Sequence, residues 1–156
     1  MMRNNVTRLL DSRNIAYTVY ELPPEKLGAL ETARQLDVPP EQVFKTIVVT
    51  RPGKGKPILA IIPGPHQVDL KALARAVGEK KLNLPTEREA ERLTGLQAGG
   101  ISPLALLQRG FQMVLDSSAR NFDQIHISGG QRGLNIRLPV EALLALTNAS
   151  LAGICR

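Results

Sequence analysis

Aromatic residues make up only 3% of this 156-residue chain, and tryptophan is absent. Readers of single-stranded RNA stack bases on exposed aromatic faces, so the composition argues against an RNA recognition motif or an aromatic-lined strand channel. The single cysteine, Cys155, excludes an intrachain disulfide scaffold and a Cys-rich metal site. Two histidines, His66 and His126, would need carboxylates to complete a metal shell. No such spacing is present, so neither a metal nor a cofactor is expected. No apolar run approaches the roughly 18 residues of a membrane span. The opening MMRNNVTRLL lacks a signal-type apolar region, so the expectation is a soluble, cytoplasmic protein.

What remains is aliphatic and basic. Hydrophobic residues make up 43%, enough at this length for one domain, residues 1–156, with a core of Leu, Ile, Val and Ala. Twenty Lys and Arg against 14 Asp and Glu give a formal charge of +6, which suits an anionic partner such as RNA. The cations are scattered rather than gathered into an arm, which fits moderate contact with phosphates.

Along the chain, Asn4 or Asn5 can cap a first helix ending near Asn14, and residues 15–22 read as a strand closed by Pro23 and Pro24. Residues 29–36 form a short helix, and Pro39-Pro40-Glu41 a turn. Residues 43–49 and 57–62 then make a buried hairpin around the turn 51–56. That turn holds Gly-Lys pairs, but no Ser or Thr follows the lysine and no helix follows the loop, so it is no phosphate loop. Asp69 and Thr86 cap helices 70–77 and 87–93, which stop at Gly78 and Gly95. A strand at 111–115, a short helix at 117–122, a hairpin of 124–128 with 133–138 and a helix from Pro139 to Leu146 complete the pattern. Without a regular βαβ repeat, it predicts an α+β fold with a mixed, curved or barrel-like sheet surrounded by helices.

The strand 43–49 reads VFKTIVV and carries Lys45 on the face of Val43, Ile47 and Val49. An apolar face is the wrong place for a solubilising ammonium. Either Lys45 reaches a cleft, carboxylate or anionic ligand, or the strand is at an edge and the stem snorkels to water. Three loops are candidate sites. Gly99-Gly100-Ile101-Ser102-Pro103 permits backbone N–H groups to approach a ligand, or is an ordinary turn. Ser128-Gly129-Gly130-Gln131-Arg132-Gly133 is an anion nest or a hairpin turn. Pro63-Gly64-Pro65-His66 places a histidine that is a base, a recognition donor or a surface residue. No Gly-x-Ser-x-Gly elbow is present.

VFKTIVV, Gly99 to Pro103 and SGGQRGLNI, in this order, resemble the YbaK family of aminoacyl-tRNA deacylases, kin to the editing insertion domain of bacterial prolyl-tRNA synthetases. The likeness runs through nearly the whole chain. It implies a cytoplasmic trans-editing deacylase that takes a small, wrongly attached amino acid, cysteine or alanine, from mischarged tRNA for proline. The tRNA acceptor end is then the partner, and prolyl-tRNA synthetase a second one. The implied catalytic residues are Lys45, Gly99 and Gly100. The implied substrate-binding residues are Tyr20, Thr46, His66, Ile101, Ser102, Pro103, Ser128, Gly129 and Asn135. Lys45 would meet the phosphate of the terminal nucleotide. Cysteine-specific members read Gly-Leu-Asp-Ile where this chain has Gly133-Leu134-Asn135-Ile136, so the amino acid stays open between cysteine and alanine. The competing reading is a non-catalytic module of the same fold that binds aminoacyl-tRNA or a synthetase.

Overall fold

The computed structural model describes residues 3–156; Met1 and Met2, at the start of the segment read for a leader, lie outside. Among the described residues no helix is long and apolar enough to cross a membrane.

Chain order is α1 (Asn5–Ser12), β1 (Thr18–Glu21), α2 (Ala29–Leu36), β2 (Phe44–Val49), β3 (Ile58–Pro63), α3 (Leu70–Val77), α4 (Glu87–Thr94), β4 (Gln112–Asp116), β5 (Gln124–Ser128), β6 (Leu134–Pro139), α5 (Val140–Thr147) and β7 (Ser150–Ala152). Single 3-10 turns sit at Pro40–Gln42, Leu104–Leu106 and Ser117–Asn121. Asn4 caps α1 in a capping box: Thr7 N–H donates to Asn4 Oδ1 at 3.0 Å and Asn4 N–H to Thr7 Oγ1 at 2.8 Å. Asp69 and Thr86 cap α3 and α4, and left-handed Gly78 and Gly95 end them.

The strands form two sheets. One is antiparallel in the order β1-β6-β5; the other is mixed, β2-β3-β4-β7, with β3, β4 and β7 parallel. A single bridge between Val43 and His126 joins them, so the expected curvature is realised as two sheets meeting at a corner. Strand β7 was not anticipated. Three residues are too short for alternation to show, and its pairing with β4 depends on a crossover through the β5–β6 hairpin and α5. The first strand is also shorter than 15–22, because Ile15 and Tyr17 pack against the core before pairing begins.

The mixed sheet buries both faces, as its continuous apolar runs require. Phe44, Ile61 and Leu115 pack against Ile125, Ile127, Ile136 and Leu138 of the antiparallel sheet. On the opposite face Val49, Ile58, Ala60, Ile62 and Val114 pack against Leu73 and Ala74 of α3. Strand β2 is the edge of this sheet, and the candidate site lies along its open side.

Candidate functional site

Lys45 emerges from the edge strand on the face that packs against α3. Its stem is half-buried, and its Nζ donates to the carbonyl of Gly64 at 3.0 Å. No carboxylate pairs with it among the described residues. The strand is an edge, as the snorkelling alternative required, yet the ammonium stops at a backbone carbonyl beside two cavities. Burial pushes the Lys45 ammonium below the ordinary lysine value of 10.5, more than the nearby Cys155 sulfur raises it. Gly64 can hold this position because it has no side chain: a Cβ there would stand 2.5 Å from Ala29 Cβ and 3.2 Å from the Val43 carbonyl.

A cavity of about 520 Å³ opens along β2. Residues 43–48 form one wall, so the strand's edge backbone faces the space. The loop 25–28 with the start of α2, the start of α4, and Gly99 with Ile101 form the other walls; Ser128, Leu134 and Asn135 lie opposite. Thr46 also lines it, pointing away from the Lys45 face. At the rim Lys26 Nζ contacts Glu87 Oε2 at 2.5 Å, and both residues line the cavity.

Tyr20, Asn135 and Ser128 are direct cross-strand partners on β1, β6 and β5, so their side chains share one face of the antiparallel sheet. Ser128 and Asn135 reach the cavity. Tyr20 instead meets the His126 ring at a centroid separation of 5.4 Å, with the Arg137 guanidinium 5.8 Å from its own centroid. His126 is fully buried, and its Nδ1 lies 2.8 Å from Asn135 Oδ1. Burial holds its imidazole below the usual range, with the Arg137 charge adding to this against the Asn135 hydrogen bond. Nε2 has no partner among the described residues. The neutral tautomer with the proton on Nδ1 leaves a lone pair there rather than an orphaned N–H, so Asn135 Oδ1 accepts.

In the glycine loop, Gly99 has φ +90° and lines the cavity. Gly100 occupies a different place. Its N–H donates to the Gln97 carbonyl at 2.8 Å, and a Cβ would stand 2.9 Å from Gln131 Cα, so it lets two loops touch. The N–H groups of Gly99 and Ile101 have no acceptor among the described residues, and both residues face the space. Ser102 is fully buried and its Oγ accepts from Leu104 N–H at 3.2 Å; with Pro103 it builds the 3-10 turn behind the loop.

Two further expected residues lie apart from this cavity. His66 Nε2 sits 2.9 Å from Glu41 Oε2 on the surface. Gly129 packs where a Cβ would stand 2.7 Å from Leu134 Cγ, and its carbonyl accepts from Asn4 Nδ2 at 2.8 Å. The structure thus gathers Lys45, Thr46, Gly99, Ile101, Ser128 and Asn135 around one space, and leaves Tyr20, His66, Gly100, Ser102, Pro103 and Gly129 outside its lining. Sequence reasoning missed Gly64, whose carbonyl fixes Lys45, and the Lys26–Glu87 contact, whose partners are 61 residues apart. Among the described residues no group of three or more His, Cys, Asp or Glu could hold a metal ion.

Together these features define an α+β domain with a cleft beside a half-buried cation and free backbone donors. The same fold is found in the crystal structure of a hypothetical protein, at a TM-score of 0.89 over 98% of this chain and 100% of that one, with 21% identity. Residues 24–146 match the aminoacyl-tRNA editing domain, and the chain belongs to that family. It is 35% identical, over 97% of its length and 93% of the relative's, to the Enterococcus faecalis protein named "Putative Cys-tRNA(Pro)/Cys-tRNA(Cys) deacylase EbsC". A proline–tRNA ligase of Geobacter metallireducens is 25% identical over 73% of this chain, which spans only 19% of that ligase. The crystal structure of "a putative trans-editing enzyme for prolyl tRNA synthetase" matches at a TM-score of 0.80 and 26% identity, over 100% of this chain and 99% of the other.

Proposed function

We propose that this protein is a trans-editing deacylase that hydrolyses the ester between a small, wrongly attached amino acid and the terminal ribose of tRNA, with tRNA for proline carrying cysteine or alanine as its substrate. The observation that carries the reading is the Lys45 ammonium, held by a neutral carbonyl at the edge of a cleft of about 520 Å³ and paired with no carboxylate among the described residues. A half-buried cation so placed meets an anion on the ligand, here the phosphate of the terminal nucleotide.

An ester is already activated, so orientation and stabilisation of the oxyanion are the main requirements. Water adds to the carbonyl carbon; the carbonyl oxygen takes the negative charge and accepts from Gly99 and Ile101 N–H. Collapse breaks the bond to the ribose oxygen, which leaves as the free hydroxyl with one proton of the attacking water; the other passes to solvent, and the amino acid is released as its carboxylate. With cysteine attached, its own thiol is a second nucleophile for the same carbonyl: the C–S bond forms as the bond to the ribose oxygen breaks, the thiol proton passes to that oxygen, and cysteine leaves as a cyclic thioester that water then opens. Neither route requires a nucleophilic side chain of the protein, and Gly99 and Ile101 replace the expected Gly100 as donors. Ser128 and Asn135 line the same space, and the amino acid is placed beside them in this reading; small residues are the ones a synthetase cannot reject by binding alone. Support for the proline system comes from the names of the relatives and from the shared domain of the proline–tRNA ligases. A complex with prolyl-tRNA synthetase belongs to the same proposal.

The test is release of labelled amino acid from tRNA for proline charged separately with cysteine, alanine, serine and proline. Loss of cysteine or alanine with proline spared, dependent on Lys45, is the expected result. Binding of the charged tRNA without release from any of them would replace the enzyme with a binding module.

A further inference from the structure

Lys45 also lines a second cavity, of about 720 Å³. Ile47 and Leu84 border both spaces, so the two adjoin. Their charges differ. Apart from Lys45, the first cavity is lined by one cation, Lys26, and two carboxylates, Glu25 and Glu87, and Lys26 is already paired with Glu87. The second is lined by two cationic side chains, Lys71 and Arg156, and one acidic side chain, Asp69.

The carboxylate in the second cavity is committed: Asp69 Oδ1 accepts from Ala72 N–H at 3.0 Å as the cap of α3. The cations are not. Lys71 and Arg156 are exposed, and their side chains have no hydrogen-bond or ion-pair partner among the described residues. Arg156 is nevertheless anchored, since the segment 154–156 is zipped onto 67–69. Gln67 N–H donates to Arg156 O at 3.1 Å, Arg156 N–H to Gln67 O at 2.9 Å, and Asp69 N–H to Ile154 O at 2.8 Å. A cation on a fixed backbone loses less freedom when it binds than one on a loose tail.

We propose that this second cavity is a subsite for the sugar–phosphate backbone of the unpaired 3′ end of the RNA, with Lys71 and Arg156 contacting the phosphates that precede the one at Lys45. The inference rests on the deacylase reading above. If Lys45 takes the phosphate of the terminal nucleotide, the aminoacyl group and the upstream chain must depart from it in different directions. With Glu87 paired to Lys26, Glu25 is left to disfavour a polyanion in the first cavity, whereas Lys71 and Arg156 attract one into the second. The aminoacyl end, which carries an amino group and no phosphate, then occupies the first. The site reads charge and carries no base-specific contact.

The experiment compares native protein with Lys71→Gln, Arg156→Gln and the double variant on two substrates bearing the same amino acid. One is the mischarged tRNA; the other is the 3′-aminoacyl ester of AMP, which holds only the terminal phosphate. Both side chains are exposed, and circular dichroism confirms folding. The double variant is expected to raise KM for the tRNA by roughly tenfold, with the change in KM rather than kcat. The dependence of log KM on log salt should flatten by about 0.7 for each lost contact. For the aminoacyl-AMP, native and variant KM should coincide. An unchanged KM and salt slope for tRNA overturns the subsite, and so does an equal rise in KM for both substrates, which would place these cations at the terminal nucleotide. Native protein that cleaves neither substrate overturns the deacylase reading itself.

Discussion

Replacing Lys45 with methionine preserves most of the stem that packs beside Ile47 and removes the charge. In the free protein one charge-assisted hydrogen bond is lost, from Nζ to Gly64 O at 3.0 Å, a contribution of about 1.5–3 kcal/mol. Relief of the desolvation that depresses the ammonium's pKa offsets part of it. For a domain of this size each kcal/mol moves Tm by about 2–4 °C, so the variant should melt several degrees below native at most. Its activity should fall as well. A charge-assisted contact with a phosphate contributes about 1.5–3 kcal/mol, which corresponds to roughly a 10- to 150-fold loss in kcat/KM for aminoacyl-tRNA. The pH dependence follows from the same burial. The Lys45 ammonium deprotonates below the ordinary value of 10.5, so KM should rise while pH is still below that value. Over that interval the unfolded chain holds a proton the folded protein has released, so this group makes stability rise with pH. The assay is steady-state deacylation with parallel thermal melts. A folded Lys45→Met variant whose kcat/KM lies within twofold of native would refute the role given to this residue.

Four further substitutions or probes test the rest of the site. Gly100→Ala places a Cβ 2.9 Å from Gln131 Cα, a backbone neighbour that cannot swing aside; overpacking of this kind costs about 1–3 kcal/mol. Tm should drop and deacylation with it, and an unaltered melt would contradict the close approach. Asp116 is buried and accepts from Ile154 N–H, Ser118 N–H and Ser118 Oγ–H. Burial raises its pKa, but these hydrogen bonds prevail and hold it below the usual value of 3.8, so its contribution is present above that value and lost as pH falls through the folded pKa. Asp116→Asn should cost about 1–3 kcal/mol at neutral pH by leaving a donor unpaired, read from denaturant unfolding. Burial and then the Asp116 charge push the Cys155 thiol up to about 12. Iodoacetamide at pH 8 should therefore modify it only after unfolding. Because the unfolded thiol releases its proton near 9.0, this group makes stability fall between about pH 9 and 12. Asn135→Asp sets a carboxylate beside the buried His126, and the imidazole pKa should rise above the usual range in an NMR titration. A value still depressed would show that the two side chains do not touch as described.

Much of the fold was legible because it rests on local chemistry. Asn4, Asp69 and Thr86 announce helix starts through short polar side chains, and Gly78 and Gly95 announce ends that need left-handed backbone. The β-branched runs of β2 and β3 and the glycine turn between β5 and β6 mark the two hairpins. By itself the sequence also determined that Lys45 stood on an apolar face, since strand alternation is a property of one segment. Only the tertiary structure decided what that lysine meets. Gly64 is 19 residues away, and its carbonyl comes within reach because Ala29 of α2 tolerates no side chain there. The motif Gly99 to Pro103 was visible as a unit, but its division was not: Gly99 and Ile101 face the cleft, while Gly100 and Ser102 turn inward to hold the loop. Likewise Asn135 was read from its own strand, whereas its tie to His126 depends on the register of β5 against β6. Spacing along a chain fixes which residues share a face; which groups converge across 34, 61 or 125 positions is set by packing of the two sheets and their helices.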